Sequence, residues 1–211
     1  FDKNNEVFGI FCVARDITIQ KQYEIIHNDT NELLEYIAIK NDLSQTLDKI
    51  VELAQSRNKN TKCSILLLDD TKEHLIIGSA KSLPDFYNKA ITGIKIGNKI
   101  GSCGSAAYYK KRVIVGNIDT HENWSNYLEL TQRANLHSCW SEPIFSSNND
   151  ILGTFAMYTN YHKEPSEFEL RLISSYAHIA AVAIDKYNNQ KNMIMKDKLL
   201  FEQSKMVAMG E

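Results

Sequence analysis

The chain has almost no charge bias: 24 basic and 26 acidic residues leave a formal net charge of −2, and no block of five like charges occurs. Electrostatics therefore name no partner, and neither nucleic acid nor anionic membrane is expected to bind this chain. Long apolar runs are also missing. "CSILLL" and "HIAAVAI" are far shorter than the roughly 20 residues of a membrane span. Nothing at the N-terminus resembles a signal peptide. The four cysteines, Cys12, Cys63, Cys103 and Cys139, form no CxxC pair and no Cys/His cluster at zinc spacing. Reduced thiols and a cytoplasmic location are the expectation, with no metal and no cofactor.

What is present is an ordinary globular composition. With 211 residues, 43% of them hydrophobic, the chain has enough apolar side chain for one good-sized core and part of a second. "EVFGIFCVARDIT" (Glu6 to Thr18) alternates like a strand buried on both faces, and the stretch after it runs without Gly or Pro as a long helix. Leu43, Leu47, Ile50, Val51 and Ala54 share one helix face. Six strand-like segments follow: "CSILLLDD", "HLIIGSAK", "ITGIKI", "RVIVGNI", "CWSEPIFSS" and "DILGTFAMY", with "DDTKE" and "SSNND" as hairpin turns. A short helix from Ser102 to about Lys111 and a second in "ENWSNYLELTQRANL" lie between strands. A last helix starts near Pro165 and Ser166 and continues to the end of the chain. The order predicts an α+β fold, a six-stranded antiparallel sheet between helices.

The last helix changes character along its length. Leu172, Ile173, Tyr176, Ile179, Ala180, Ala183 and Tyr187 make a wide apolar stripe. Met195, Leu199, Met206 and Met209 then follow a 4,3 spacing, with Glu202 in the one polar position, which suits either a parallel two-stranded coiled coil or a solvated helix. The chain starts with a strand under way and stops within a helical pattern, as a piece of a longer protein would.

Three resemblances rest on these residues. From Leu33 to Tyr187, the segments "CSILLLDD", "SLPDFY", "IGSCGSAAYYKKRVIVGNI", "NWSNY", "LHSCWSEPI" and "ILGTFAMY", in that order, resemble a GAF domain of the group with GSCG, CWS-x-PI and LGTFA-x-Y motifs. "FGIFCVARDITIQKQYE" resembles the last strand and exit helix of a PAS domain. "LLFEQSKMVAMGE" resembles the start of the dimerisation helix of bacterial sensor histidine kinases. None of the six histidines stands in a phosphoacceptor motif. The resemblances divide the chain into the end of a PAS domain with its exit helix (1–24), a GAF domain (25–188), and a linker with the start of a kinase dimerisation helix (189–211).

They imply a two-component sensor, with phosphorelay in the parent protein and a cognate response regulator as its partner. The terminal helices would make a homodimer, and an unidentified small molecule is the ligand such a domain would take. The parent would be a histidine kinase, possessing catalytic parts that this chain lacks, so no catalytic residue is assigned here.

In a GAF domain the GSCG turn and the helix after it roof a pocket over the sheet. Gly101 and Gly104 permit the turn, Ser102 is placed to cap the helix, and Cys103 falls in its first turn, as a reactive thiol or a small packing residue. Ser102, Cys103, Trp124, Tyr127, Cys139, Trp140 and Phe155 are the candidate pocket residues. Gly101, Cys103, Gly104 and Ala106 also match the G-x-CG-x-A turn of the free methionine-R-sulfoxide reductases. Those enzymes place a catalytic cysteine well upstream of SE-x-x-x-P and an Asp-rich last strand; here Cys139 lies two residues before Ser141 and "GTFAMYTN" has no acid. Three alternatives thus stand: a ligand-binding sensor domain, a reductase-like enzyme, and a ligand-free dimerisation module. His137, a lone histidine at a strand start, reads as a surface or hydrogen-bonded residue rather than a haem ligand.

Overall fold

Strands whose side chains are apolar in both directions need cover on both faces, and the fold supplies it. The structure is a computed structural model that describes residues 12–58 and 60–209, with side chains to Lys205. Its elements in chain order are α1 (Thr18–Ile39), α2 (Leu43–Ser56), β1 (Thr61–Leu68), β2 (His74–Ser79), α3 (Asp85–Ile91), β3 (Ile94–Lys95) and α4 (Gly101–Tyr109). Then come β4 (Val113–Val115), two 3₁₀ turns (Ile118–Thr120 and Glu122–Tyr127), α5 (Leu128–Arg133), β5 (Ser138–Phe145), β6 (Ile151–Thr159) and α6 (Glu167–Met209).

The strands form one six-stranded sheet in the order β3-β2-β1-β6-β5-β4. Every neighbouring pair is antiparallel. On one face lie α1, α2 and α6, packed through Leu33, Leu47, Ile50, Ile65, Phe155, Ile173 and Tyr176. On the other lie α3, α4, the 3₁₀ turns and α5, packed through Leu66, Leu75, Tyr87, Trp124, Leu136 and Tyr158. Two cores thus share the sheet, and the alternation of side chains along β5 and β6 sends successive residues to opposite cores.

Hydrogen bonds and charges fix how the helices sit. Asp42 caps α2, accepting from the Gln45 N–H at 3.0 Å. Ser166 and Glu169 form a reciprocal capping box at the start of α6, with the Ser166 N–H donating to Glu169 at 2.9 Å and the Glu169 N–H to the Ser166 hydroxyl at 3.3 Å. The buried carboxylate of Asp29 on α1 accepts from Arg57 Nε at 3.0 Å, from Arg57 Nη2 and from the Tyr176 hydroxyl, so one residue joins α1, the end of α2 and α6. Lys186 on α6 donates to the carbonyls of Ile37, Ala38 and Lys40, satisfying the exposed C-terminus of α1.

Four expectations need correction. Residues 12–17 have no regular secondary structure, and the rest of the expected first strand lies outside the described residues. "ITGIKI" is a strand only at Ile94–Lys95; Ile91 instead ends α3, which starts after Pro84 with Asp85 in its first turn, where a fixed φ and a negative charge both favour a helix start. Ser102 does not cap α4, because the helix already includes Gly101 and Ile100 precedes it without a side-chain cap. "ENWSNYLELTQRANL" is not one helix but a 3₁₀ turn followed by six residues of α5.

Gly153 explains the glycine of "LGTFA". It pairs with Leu67 across β1 and β6, and a Cβ there would overlap the Leu66 carbonyl oxygen. Gly153→Ala should therefore destabilise the chain by about 1–3 kcal/mol, because backbone rather than a pliant side chain must give way. Urea unfolding of the two proteins measures this, and an unchanged midpoint would show that the strands move apart at no cost.

Candidate functional site

The roof of the second core is built by α4. Gly101 has φ +51°, a left-handed value that a side chain would strain, and it turns the chain from Ile100 into the helix directly beneath the Trp124 ring. One residue on, the buried Ser102 hydroxyl donates to the Cys139 carbonyl oxygen at 3.1 Å and accepts from Trp124 Nε1 at 3.2 Å. This one hydroxyl ties α4 to β5 and to the 3₁₀ segment beside it.

Between the roof and the sheet is a cavity of about 30 Å³. It is bounded by Tyr87 and Ile91 of α3, Cys103 of α4, Trp124 and Tyr127 of the 3₁₀ segment, and Tyr158 of β6. That volume holds about one water molecule, so a larger guest must displace a wall. The wall is aromatic: Tyr87 meets Tyr158 edge to face at 6.2 Å, and Trp124 meets Tyr127 edge to face at 6.3 Å.

Polar atoms are few and close to the floor. The Tyr158 hydroxyl lies 3.3 Å from Ser64 Oγ and 3.7 Å from Cys103 Sγ. The Cys103 thiol is pulled below its usual range, first by the neighbouring Cys139 thiol and further by the Ser141, Tyr158 and Thr154 hydroxyls, which together outweigh burial. Burial pushes the Cys139 thiol well up, and Cys103 adds to the effect, so Cys103 is the member of the pair that ionises first. The hydroxyls of Ser141 and Thr154 neighbour the same thiol; both are fully buried, and among the described residues neither oxygen has a hydrogen-bond partner. Two unpaired buried hydroxyls beside a thiol are suited to an ordered water or a polar atom of a guest.

Of the seven candidate pocket residues, Ser102, Cys103, Trp124 and Tyr127 line the cavity. Cys139 lies in the same core, behind Cys103. Trp140 and Phe155 do not border it: both belong to the opposite core, where Trp140 donates to the Lys163 carbonyl at 3.1 Å and Phe155 stacks on Tyr176 at 5.9 Å. The cause is strand alternation, which sends Trp140 away from the face that Cys139 occupies. Residues not anticipated are Tyr87, Ile91 and Tyr158. Tyr158 was within reach, since it sits two positions from Ala156 and four from Thr154 on the cavity face of β6. Glu142, in the segment compared with the reductases, pairs with Arg112, whose guanidinium also reaches the Leu170 carbonyl of α6.

The fold and this roofed cavity point to one family. Residues 40–185 match the family model described as GAF domain. The chain belongs to the GAF domain family. A methyl sulfide methyltransferase-associated sensor of Methanosarcina acetivorans is 37% identical over 186 residues, which cover 87% of this chain but 19% of that protein. This GAF domain thus spans about a fifth of the length of that relative.

Among solved structures, the GAF domain of a phosphoenolpyruvate-protein phosphotransferase from Coxiella burnetii matches with TM-score 0.67 at 16% identity, covering 83% of this chain and 99% of that one. A free methionine-R-sulfoxide reductase from Neisseria meningitidis matches with TM-score 0.63 at 16% identity over 87% and 99% of the two chains. A domain assigned to a two-component sensor histidine kinase of Sinorhizobium meliloti 1021 matches with TM-score 0.59 at 16% identity over 73% and 98%. At such identity these structures share the fold, and the cavity chemistry of this GAF domain must be argued from its own residues.

The order of ionisation in the thiol pair can be read directly. Iodoacetamide labelling mapped by peptide should rise with pH at Cys103 before it does at Cys139, which stays unmodified in the folded protein, with exposed Cys12 as the reference. Equal labelling of Cys103 and Cys139 at every pH would contradict the assignment.

Proposed function

We propose that this chain is the sensory GAF domain of a two-component sensor histidine kinase, in which a small molecule held beneath α4 biases the position of α6. The observation that carries this reading is the seating of α6: it packs on the far face of β5 and β6, whose near face floors the cavity. Adjacent residues connect the two sides, Cys139 with Trp140 on β5 and Tyr158 with Met157 on β6. A guest that moves α4 pulls through Ser102 on the Cys139 carbonyl, and the strand carries that shift to α6. The sensor relationship of the Methanosarcina relative supports the reading.

The output is a dimer of α6. Met193, Ile194, Met195, Leu199, Leu200 and Phe201 are 56% to 70% exposed on a helix that has left its domain. An isolated helix with that much apolar surface is stabilised by a second copy, and Met195 and Leu199 stand on the 4,3 seam. The side chains of Met206 and Met209, the later seam positions, lie outside the described ones. In the parent protein, residues 1–24 then end a PAS domain, 189–211 lead into the kinase dimerisation helix, and phosphate passes to a response regulator in the cytoplasm. Among the described residues no helix is long and apolar enough to cross a membrane.

The apolar wall suits an apolar guest, the small volume limits it to a few heavy atoms even once a wall side chain moves, and the Methanosarcina relative's association with methyl sulfide chemistry suggests dimethyl sulfide as the probe. The two tryptophans lie one on each side of the sheet. In Trp124→Phe, tryptophan-selective excitation reports Trp140 alone, on the α6 side. Dimethyl sulfide should bind by calorimetry and shift the Trp140 emission; binding without that shift would refute the relay, and no binding would refute this guest class. Sedimentation should show a dimer for the unaltered chain and a monomer for Leu199→Glu, and a monomeric unaltered chain would refute the α6 pairing.

A further inference from the structure

A separate cluster of ligating side chains sits at one end of the sheet, and none of its members lines the cavity. Because β5 runs antiparallel to both β4 and β6, the end of β4, the start of β5 and the end of β6 meet at the same edge. Asp119 follows β4 in the first 3₁₀ turn, His137 immediately precedes β5, and His162 lies just beyond β6. Backbone hydrogen bonds hold these three segments together: the Ile118 N–H donates to the His137 carbonyl at 2.9 Å, the His137 N–H to the Thr159 carbonyl at 2.9 Å, and the Lys163 N–H to the Gly116 carbonyl at 3.0 Å. The Asp119 N–H is itself fixed by the Asn117 side chain at 3.0 Å.

We propose that Asp119, His137 and His162 form a binding site for a divalent transition metal of the zinc class. Asp119 Oδ2 lies 3.1 Å from His137 Nδ1 and 2.6 Å from His162 Nε2. One ligating atom from each residue falls within 4.8 Å of the others. Zinc bonds of roughly 2.0–2.1 Å in a tetrahedron require ligand separations of about 3.3 Å, so the His137 contact is already near that spacing and the His162 contact has to open by well under 1 Å.

The carboxylate is used unevenly. Both imidazoles meet the same oxygen, while Asp119 Oδ1 is buried without a hydrogen-bond partner. Among the described residues, hydrogen bonding thus leaves one carboxylate oxygen unserved and crowds two imidazoles onto the other, an arrangement that a cation bound through Oδ2 and the two ring nitrogens would relieve.

Solvent access and charge also suit an ion. The side chains of Asp119, His137 and His162 are 26%, 29% and 52% exposed, so a water can complete the fourth position. The nearest ammonium along the chain, Lys163, is occupied by Glu169 and does not compete for Asp119. Two imidazoles and one carboxylate without a thiolate favour zinc, cobalt or nickel over calcium and magnesium, which select all-oxygen sites. Because His162 stands in the segment from β6 to α6, an ion here would clamp the start of that segment to the ends of β4 and β5.

Chelator-treated chain titrated with Zn²⁺ against a chromophoric indicator should bind one equivalent. Asp119→Asn and His162→Gln should each weaken binding at least about 10-fold, with circular dichroism confirming that the half-exposed His162→Gln variant stays folded. With Co²⁺ the complex should show only ligand-field bands. No Zn²⁺ binding, undiminished affinity in folded His162→Gln, or a thiolate-to-cobalt charge-transfer band indicating a cysteine site would each overturn the proposal.

Discussion

The central strands have no face to offer to water. In β1, β5 and β6 most residues are buried and none is fully exposed, so the sheet cannot exist as the half-solvated surface common to antiparallel proteins and must be roofed twice. That requirement organises the remaining elements. The long helices supply one cover with ordinary amphipathic faces. The segments between β2 and β5 supply the other from short pieces, and short pieces do not tile a surface completely. The small gap beneath α4 follows from building a roof out of a nine-residue helix, a seven-residue helix and 3₁₀ turns.

Polar chemistry concentrates where these pieces are pinned. Ser102 serves two neighbours with one hydroxyl because α4 has no cap of its own and needs a fixed point. On the opposite face Asp29 does the equivalent for three helices with one carboxylate, satisfied by a guanidinium and a phenol. Fully satisfied groups of this kind specify one arrangement of helices where apolar packing alone permits several.

The sheet and the long helices were legible because their signals are long. Leu47, Ile50, Val51 and Ala54 repeat at helical spacing and are buried as that repeat requires, and the six strand segments each alternate or run apolar over several residues. The roof was less legible because its elements are too short to show a period. Of the seven residues of α3, Ile91 fell in a strand-like string and the other six are too few to show a helical period, while the two-residue β3 depends on pairing with β2 rather than on its own sequence. Which face a strand residue takes also escaped: Trp140 and Phe155 look like cavity aromatics by type, and only the register of β5 with β6 assigns them to the other core. The His137, His162 and Asp119 cluster has no spacing motif at all, since its members are brought together by three different strand ends.

Sharing one sheet between two cores also constrains how the protein can change. Adjacent positions on β5 and β6 answer to different neighbours through a single backbone, so a larger side chain at Cys139 that lifts the strand is felt by Trp140 in its packing against α6. Substitutions that retune the roofed gap are therefore not independent of those that tune the seat of the long helix. Drift at one surface demands compensation at the other, and descendants of this sequence should change the two in correlated pairs across the strand rather than one residue at a time.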